Sequence, residues 1–169
     1  MTALLARLLG GAAPDEIGLV CYFVLGEIGP GYKRVSLNIG DRAAAAAIAL
    51  AAGTDLSAVE AAVREFGDYG DVAYHLIEAP AAESLSVTDV HRSLSAIAGA
   101  SGPGSAEEKK SILARLLAAA TPVERRYLVR LATGNMRLGA GDMTLLDALA
   151  EAFLGSRAER RALEHAYNI

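Results

Sequence analysis

Residues 121–124 read Thr-Pro-Val-Glu, a four-residue string that leaves a chain little choice. The threonine hydroxyl can accept from the third helical N–H, and the glutamate can reach back to the threonine N–H. Proline fits the first helical position, where an N–H has no use. Similar starts recur along the chain. Ser105-Ala106-Glu107-Glu108 and Ser156-Arg157-Ala158-Glu159 carry the same box, and Asp41, Asp55, Ser86 and Asp142 stand where caps are expected. Behind them apolar residues return every three or four positions: Ile112, Leu113, Leu116 and Leu117, then Val123, Tyr127, Leu128 and Leu131, then Leu145, Leu146, Leu149 and Phe153. Upstream the spacing predicts helices near 2–9, 15–28, 41–52, 56–66, 70–77 and 87–99, and a last one covers about 156–167. No convincing strand run competes. The chain reads as all-α, a compact single domain over 1–169 made of about ten short helices joined by tight glycine-rich loops.

Composition agrees and narrows the class. Three Phe and no Trp leave an apolar content rich in alanine, the best helix former. At 169 residues the chain can bury a core without disulfides or metal. Cys21 is the only cysteine, which rules out an internal disulfide and a four-cysteine zinc site. Its setting, Leu19-Val20-Cys21-Tyr22-Phe23, reads as a buried thiol. His75, His91 and His165 are far apart, with no ligand spacing, and His75 reads as surface or partly packed. No apolar run approaches the roughly 18 residues of a membrane span. The stretch Met1–Leu9 is short, carries Arg7 and lacks a cleavage site, so the expected location is cytoplasmic and nucleoid-associated, with no membrane partner.

The net charge of −4 hides an asymmetry. Residues 101–141 hold seven cations (Lys109, Lys110, Arg115, Arg125, Arg126, Arg130 and Arg137) against three acids (Glu107, Glu108 and Glu124). The flanking segments are both net acidic. A basic window inside an acidic protein points to an anionic partner. Two glycine-rich loops fall in that window. Gly102-Pro103-Gly104-Ser105 leads into a helix start, where unpaired N–H groups and the helix dipole favour an anion, with Lys109 and Lys110 one turn later. Gly134-Asn135-Met136-Arg137-Leu138-Gly139-Ala140-Gly141 sets an arginine between glycines. Taken alone, each loop reads first as an ordinary helix end or tight turn. Two such loops in one basic window fit a nucleic-acid backbone better than a single nucleotide.

Competing motifs fail. Glu108 precedes Lys109, and no strand leads in, so there is no Walker A loop. Gly29-Pro30-Gly31 lacks a third glycine and a strand–helix alternation, so there is no dinucleotide fingerprint. Asp68 and Asp71, around Gly70, read as helix caps beside a tight turn rather than as an acid–base pair. Arg125, Arg126 and Arg130 read either as DNA contacts or as solvated charges that Glu124 and other acids can pair with.

The loops also carry a resemblance. The strongest stretch is Ala100-Ser101-Gly102-Pro103-Gly104-Ser105-Ala106-Glu107-Glu108-Lys109-Lys110, followed by Ala120-Thr121-Pro122-Val123-Glu124 and Tyr127-Leu128-Val129-Arg130. It continues through Thr133-Gly134-Asn135-Met136-Arg137-Leu138-Gly139-Ala140-Gly141-Asp142. Weaker stretches are Leu25–Tyr32, Phe66–Ala73 and the closing Leu163-Glu164-His165-Ala166-Tyr167-Asn168. Across essentially its whole length, and in order, the chain resembles the N-terminal DNA-binding domain of ATP-dependent DNA ligases of the archaeal and archaeal-like bacterial type. The resemblance implies an all-helical module that docks on the minor groove of duplex or nicked DNA and helps the enzyme encircle a nick. Such enzymes serve replication, repair and recombination. It implies a DNA-binding set of Gly102, Gly104, Ser105, Lys109, Lys110, Arg130, Gly134, Asn135, Arg137 and Gly139.

Two departures stand out. Asn135 occupies a position where the family often has Lys or Arg, and an additional helix usually precedes the segment that begins here at Met1, so the chain looks trimmed at its front. None of the three lysines, Lys33, Lys109 and Lys110, lies in the family's catalytic Lys-x-Asp-Gly motif. The fragment alone is therefore expected to be non-enzymatic, without a cofactor, and monomeric. ATP and Mg²⁺ belong to the parent, as do the adenylylation and OB domains that would be its partners. The alternative from another class is a helical protein-interaction adaptor whose basic window faces an acidic protein.

Overall fold

The computed structural model describes residues 1–33, 35–78 and 85–167, with backbone alone at 166 and 167; Asn168, the end of the closing run, lies outside the described residues. Among the described residues the elements are α1 (Thr2–Gly11), α2 (Ile17–Leu25), a 3-10 turn (Gly31–Lys33), α3 (Asp41–Ala52), α4 (Leu56–Phe66), α5 (Tyr69–Leu76), α6 (Val87–Gly99), α7 (Ser105–Ala119), α8 (Pro122–Ala132), α9 (Asp142–Phe153), a second 3-10 turn (Arg157–Glu159) and α10 (Arg160–Tyr167). The all-α class and the ten helices agree with the sequence reading. No single helix among the described residues is long and apolar enough to cross a membrane.

The helices pack as two compact units, Ile28–Met136 and Met1–Glu27 with Arg137–Ile169. In the unit Ile28–Met136, α3 packs on α4, α5 and α7. Its Ala44, Ala47 and Ile48 are fully buried. Alanine leaves little side chain between helix axes, which lets one helix serve three neighbours. Val59, Val72, Leu94, Ile97, Leu113, Leu117 and Val129 complete this core, all fully buried. Each such side chain contributes about 1.5–3 kcal/mol by leaving water. The pairs α5–α8 and α6–α7 are also in contact.

In the other unit the two ends of the chain meet. Helix α1 packs on α9, and Leu9, Leu145, Leu146 and Ala148 of these helices are buried. Helix α10 lies on α9, where Arg160 donates to Asp147 at 2.9 Å and to Glu164 at 2.7 Å.

Helix ends follow local chemistry, with four corrections. Thr121 and Glu124 form the expected capping box on α8, and Ser86 caps α6 by accepting from the Asp89 N–H at 3.0 Å. Ser105, Asp41 and Asp142 do not cap; Gly104, Gly40 and Gly141 hold the cap positions, and the polar residue behind each is the first in its helix. A glycine in front adopts the cap backbone easily, and the two aspartates still favour the dipole from the first turn. Asp55 holds its cap position without a side-chain bond. Ser156 caps a 3-10 turn by accepting from the Ala158 N–H, so the box expected there does not form and α10 begins only at Arg160. Helix α2 stops at Leu25 rather than near 28, because Gly26 turns left-handed (φ 79°) and the Glu27 N–H closes on the Tyr22 carbonyl at 2.8 Å.

Arg125 belongs to the core. Its side chain is fully buried, Nε donates to the Leu117 carbonyl at 2.9 Å, and Nη1 donates to the Ile77 carbonyl. It thus ties the last turn of α7 to the end of α5. Burial pulls its pKa below the ordinary value, opposed by Glu124. A DNA contact by Arg125, one of the two readings open in the sequence, is excluded by this burial.

Candidate nucleic-acid interface

Helix α7 is entered through a turn that only glycine makes cheaply. Gly102 (φ 81°) and Gly104 (φ 85°) are both left-handed, and a Cβ on either would meet nothing within 4 Å. The requirement is therefore backbone conformation, which costs an L-residue about 1–2 kcal/mol, and the space above both is empty. The Ser105 N–H closes on the Gly102 carbonyl at 3.2 Å, and the Glu108 N–H on that of Gly104 at 3.1 Å. Between them, the amides of Ala106 and Glu107 find no side-chain cap. Gly102, Pro103 and Gly104 are exposed and Ser105 is half-buried. A 15-residue helix thus ends in open, glycine-lined N–H groups, where an anion is favoured.

The lysines behind this turn are engaged. Lys109 Nζ donates to the Leu37 carbonyl at 3.0 Å, holding the segment before α3 against α7. Lys110 pairs with Glu107 at 2.6 Å. Both add positive potential near the α7 start, but neither is a free cation.

The second loop begins where α8 ends. Gly134 (φ 73°) turns left-handed, its N–H closes on Leu131 at 3.2 Å, and the Asn135 N–H closes on Arg130 at 2.7 Å. This is the Schellman pattern, which satisfies the last carbonyls of the helix. Asn135 is exposed, and its amide nitrogen makes only long contacts with Thr133. Arg137 and Gly139 belong to the other packing unit. Arg137 has φ 48°, a left-handed backbone that a non-glycine residue rarely adopts. Its side chain is exposed and makes no ion pair among the described residues. Gly139 (φ 68°) is exposed, with Met1 Cε at 3.8 Å from where a Cβ would stand.

Arg130 is placed differently. Its Nε donates to Asp68 Oδ1 and its Nη2 to Asp71 Oδ2, each at 3.0 Å, and its guanidinium lies 5.7 Å from the Tyr127 ring. Arg126 Nε lies 2.6 Å from Asp71 Oδ1, off the line of a hydrogen bond, and its guanidinium covers the Tyr74 ring at 4.3 Å. Asp68 also caps α5, accepting from the Asp71 N–H at 3.1 Å as expected. This α5–α8 network was not legible in the sequence; the only hint was two acids and two arginines at helical spacing, 55 and more residues apart. His75 is exposed and stacks on Phe66 at 4.5 Å.

The basic window is thus largely consumed inside the fold. Of its seven cations, Lys109, Lys110, Arg125, Arg126 and Arg130 are bound internally, while Arg115 and Arg137 stay exposed without an ion pair among the described residues. What remains outward is the uncapped start of α7 at the first loop, and the exposed side chains of Asn135 and Arg137 at the second. Among the described residues, no group of three or more His, Cys, Asp or Glu is placed to hold a metal.

Comparison with known proteins agrees with these features. The sequence pattern of the family described as DNA ligase N terminus matches residues 1–150. The chain is 39% identical over 178 residues to a DNA ligase of Pyrobaculum neutrophilum, with all of this chain and 30% of that protein covered. It is 40% identical over 179 residues to DNA ligase 2 of Thermofilum pendens, covering 99% of this chain and 30% of that protein. A DNA ligase of Aeropyrum pernix is 39% identical over 186 residues, covering 100% of this chain and 31% of the relative. The chain therefore spans about three-tenths of the length of these curated relatives, outside the catalytic domain. The protein-adaptor alternative gains nothing from them. The chain belongs to the family of N-terminal domains of ATP-dependent DNA ligases.

Proposed function

We propose that this domain, spanning 1–169, binds duplex and nicked DNA without sequence preference, by gripping the phosphate backbone along the minor groove. Its parent uses ATP and Mg²⁺ in neighbouring adenylylation and OB domains to seal nicks in replication, repair and recombination. It works as a monomer in the cytoplasm, at the nucleoid. The observation that carries the reading is the start of α7: two left-handed glycines, empty space above them, and first-turn N–H groups without a side-chain cap. A phosphate oxygen is the ligand such an end suits. Gly102, Gly104 and Ser105 supply this contact, with Lys109 and Lys110 raising the local potential. Gly134 and Asn135 offer a second contact in the same unit, and Arg137 and Gly139 offer one of their own in the other unit. Arg137 supports it by being exposed, unpaired among the described residues and held in a costly backbone conformation, a kind of strain that concentrates at functional positions.

The test is a fluorescence-anisotropy titration with a nicked duplex of about 20 base pairs at 50 and 200 mM salt. Dissociation constants of about 10⁻⁴–10⁻⁶ M are typical of non-specific contacts at physiological salt. The sequence alone suggests three to five phosphate contacts. With Arg137 free and Lys110 obliged to leave Glu107, one or two neutralised phosphates are expected instead. The slope of log K against log salt is then about −1 to −2, a loss of about three- to twelvefold over that range. Arg137→Ala is expected to weaken all sequences alike and flatten the slope by about 1. Binding that ignores salt, or an Arg137→Ala variant that binds as before, sinks the mechanism.

A further inference from the structure

We propose that Arg130 is the positioning residue of the second DNA loop and not one of its phosphate ligands, with Asp68 and Asp71 of α5 as its anchors. The proposal rests on the DNA-binding reading and refines it.

Three observations meet at this residue. Its guanidinium is spent, with one nitrogen on each of two aspartates at 3.0 Å and a side chain only 23% exposed. A phosphate would have to displace both carboxylates, at the cost of leaving two partly buried acids without their cation. Its main-chain carbonyl accepts the Asn135 N–H at 2.7 Å, the bond that turns the chain out of α8 and into the loop. One residue therefore joins the carboxylates of α5 to the first exposed residues of the loop. A planar fork suits this, because Nε serves one carboxylate and Nη2 the other in fixed directions, which the one nitrogen of an ammonium reproduces less well.

The third observation is Gly70, which sits between the two aspartates. A Cβ there would lie 2.5 Å from the Arg126 carbonyl oxygen and 3.1 Å from Arg130 Cγ. The missing side chain lets the α5 backbone press against α8 where the fork must reach Asp68 and Asp71. Arg126 adds a second strut, between Asp71 and the Tyr74 ring. The run Gly67-Asp68-Tyr69-Gly70-Asp71 thus acquires a role: it fixes the rotation of the last turn of α8, and through it the direction in which Gly134 and Asn135 leave.

The two readings of Arg130 predict opposite signs when the acids are neutralised. In an Asp68→Asn/Asp71→Asn double variant, a phosphate-binding Arg130 would be released and two repelling charges removed, so DNA affinity would rise and its salt slope steepen. A positioning Arg130 loses its anchors, so affinity falls, by about threefold to tenfold, with the slope unchanged. Arg130→Lys separates them again: a phosphate contact tolerates lysine, whereas the fork does not, so affinity is expected to drop as in the double variant. Amide hydrogen exchange on the unbound chain gives a readout independent of DNA. The Asn135 N–H is expected to exchange about tenfold faster in the double variant, in keeping with a lost charge-assisted anchor. The Ala100 N–H, which bonds to Ala96 at the end of α6, is the control and keeps its rate. A rise in affinity, or an unchanged Asn135 rate, overturns the proposal. If the parent chain binds no DNA at all, the DNA reading fails and the exchange rates alone decide whether Arg130 holds the turn.

Discussion

Substituting alanine for Gly70 sets two known effects against each other at a site where the distances say which wins. Gly70 is the second residue of α5, and replacing a helical glycine by alanine gains at most about 1 kcal/mol of propensity. Against that, the new Cβ would stand 2.5 Å from a main-chain oxygen of α8, 2.8 Å from Asp68 Oδ1 and 3.1 Å from Arg130 Cγ. The nearest atom is backbone in mid-helix, so α5 and α8 must separate. Overpacking of this kind costs about 1–3 kcal/mol. Separation also stretches the bonds from Arg130 to Asp68 and Asp71, and hydrogen bonds to charged groups contribute about 1.5–3 kcal/mol, reduced here because the groups are partly exposed. The net expectation is a loss of about 2–3 kcal/mol. Gly18 is the matched control: it too is the second residue of its helix, it is exposed, and a Cβ there meets nothing within 4 Å. Gly18→Ala should stabilise by about 0.4–1 kcal/mol. Urea unfolding followed by far-ultraviolet circular dichroism reads both. A Gly70→Ala variant as stable as the parent would refute a tight approach of α5 to α8 at this point.

Other substitutions test neighbouring claims. Arg125→Ala bares the carbonyls of Leu117 and Ile77 and opens a cavity, so unfolding should become easier by about 3 kcal/mol or more, while the salt slope of DNA binding stays put; a loss below about 1 kcal/mol would deny the guanidinium its structural role. At the helix starts, Thr121→Ala should cost about 1 kcal/mol, and Ser105→Ala nearly nothing, because Ser105 caps no amide. Gly104→Ala should cost about 1–2 kcal/mol through its left-handed backbone; equal effects of Ser105→Ala and Thr121→Ala in thermal melts would restore the box that the structure lacks at α7.

Residue order alone determined the helices. Caps, prolines at first positions, glycines past last positions and the three-to-four spacing of leucines all act within a turn or two of the chain, so the Thr121 box, the Ser86 cap and the bounds of α3, α4 and α6 could be read directly. The two glycine loops were legible for the same reason, since left-handed turns and open helix ends are local properties. What only the tertiary structure decided is which charges face outward. Seven cations in one window look like a basic surface, yet Lys109 is turned to Leu37, Arg125 to Ile77 and Leu117, and Arg126 and Arg130 to Asp68 and Asp71. These partners are contributed by other segments, up to 72 residues away in the chain. A charge pairs with whatever packing brings within about 3–4 Å, and no local spacing reports that distance. The same holds for Gly70, which along the chain is one more glycine beside an aspartate and against α8 is the point where two helices touch.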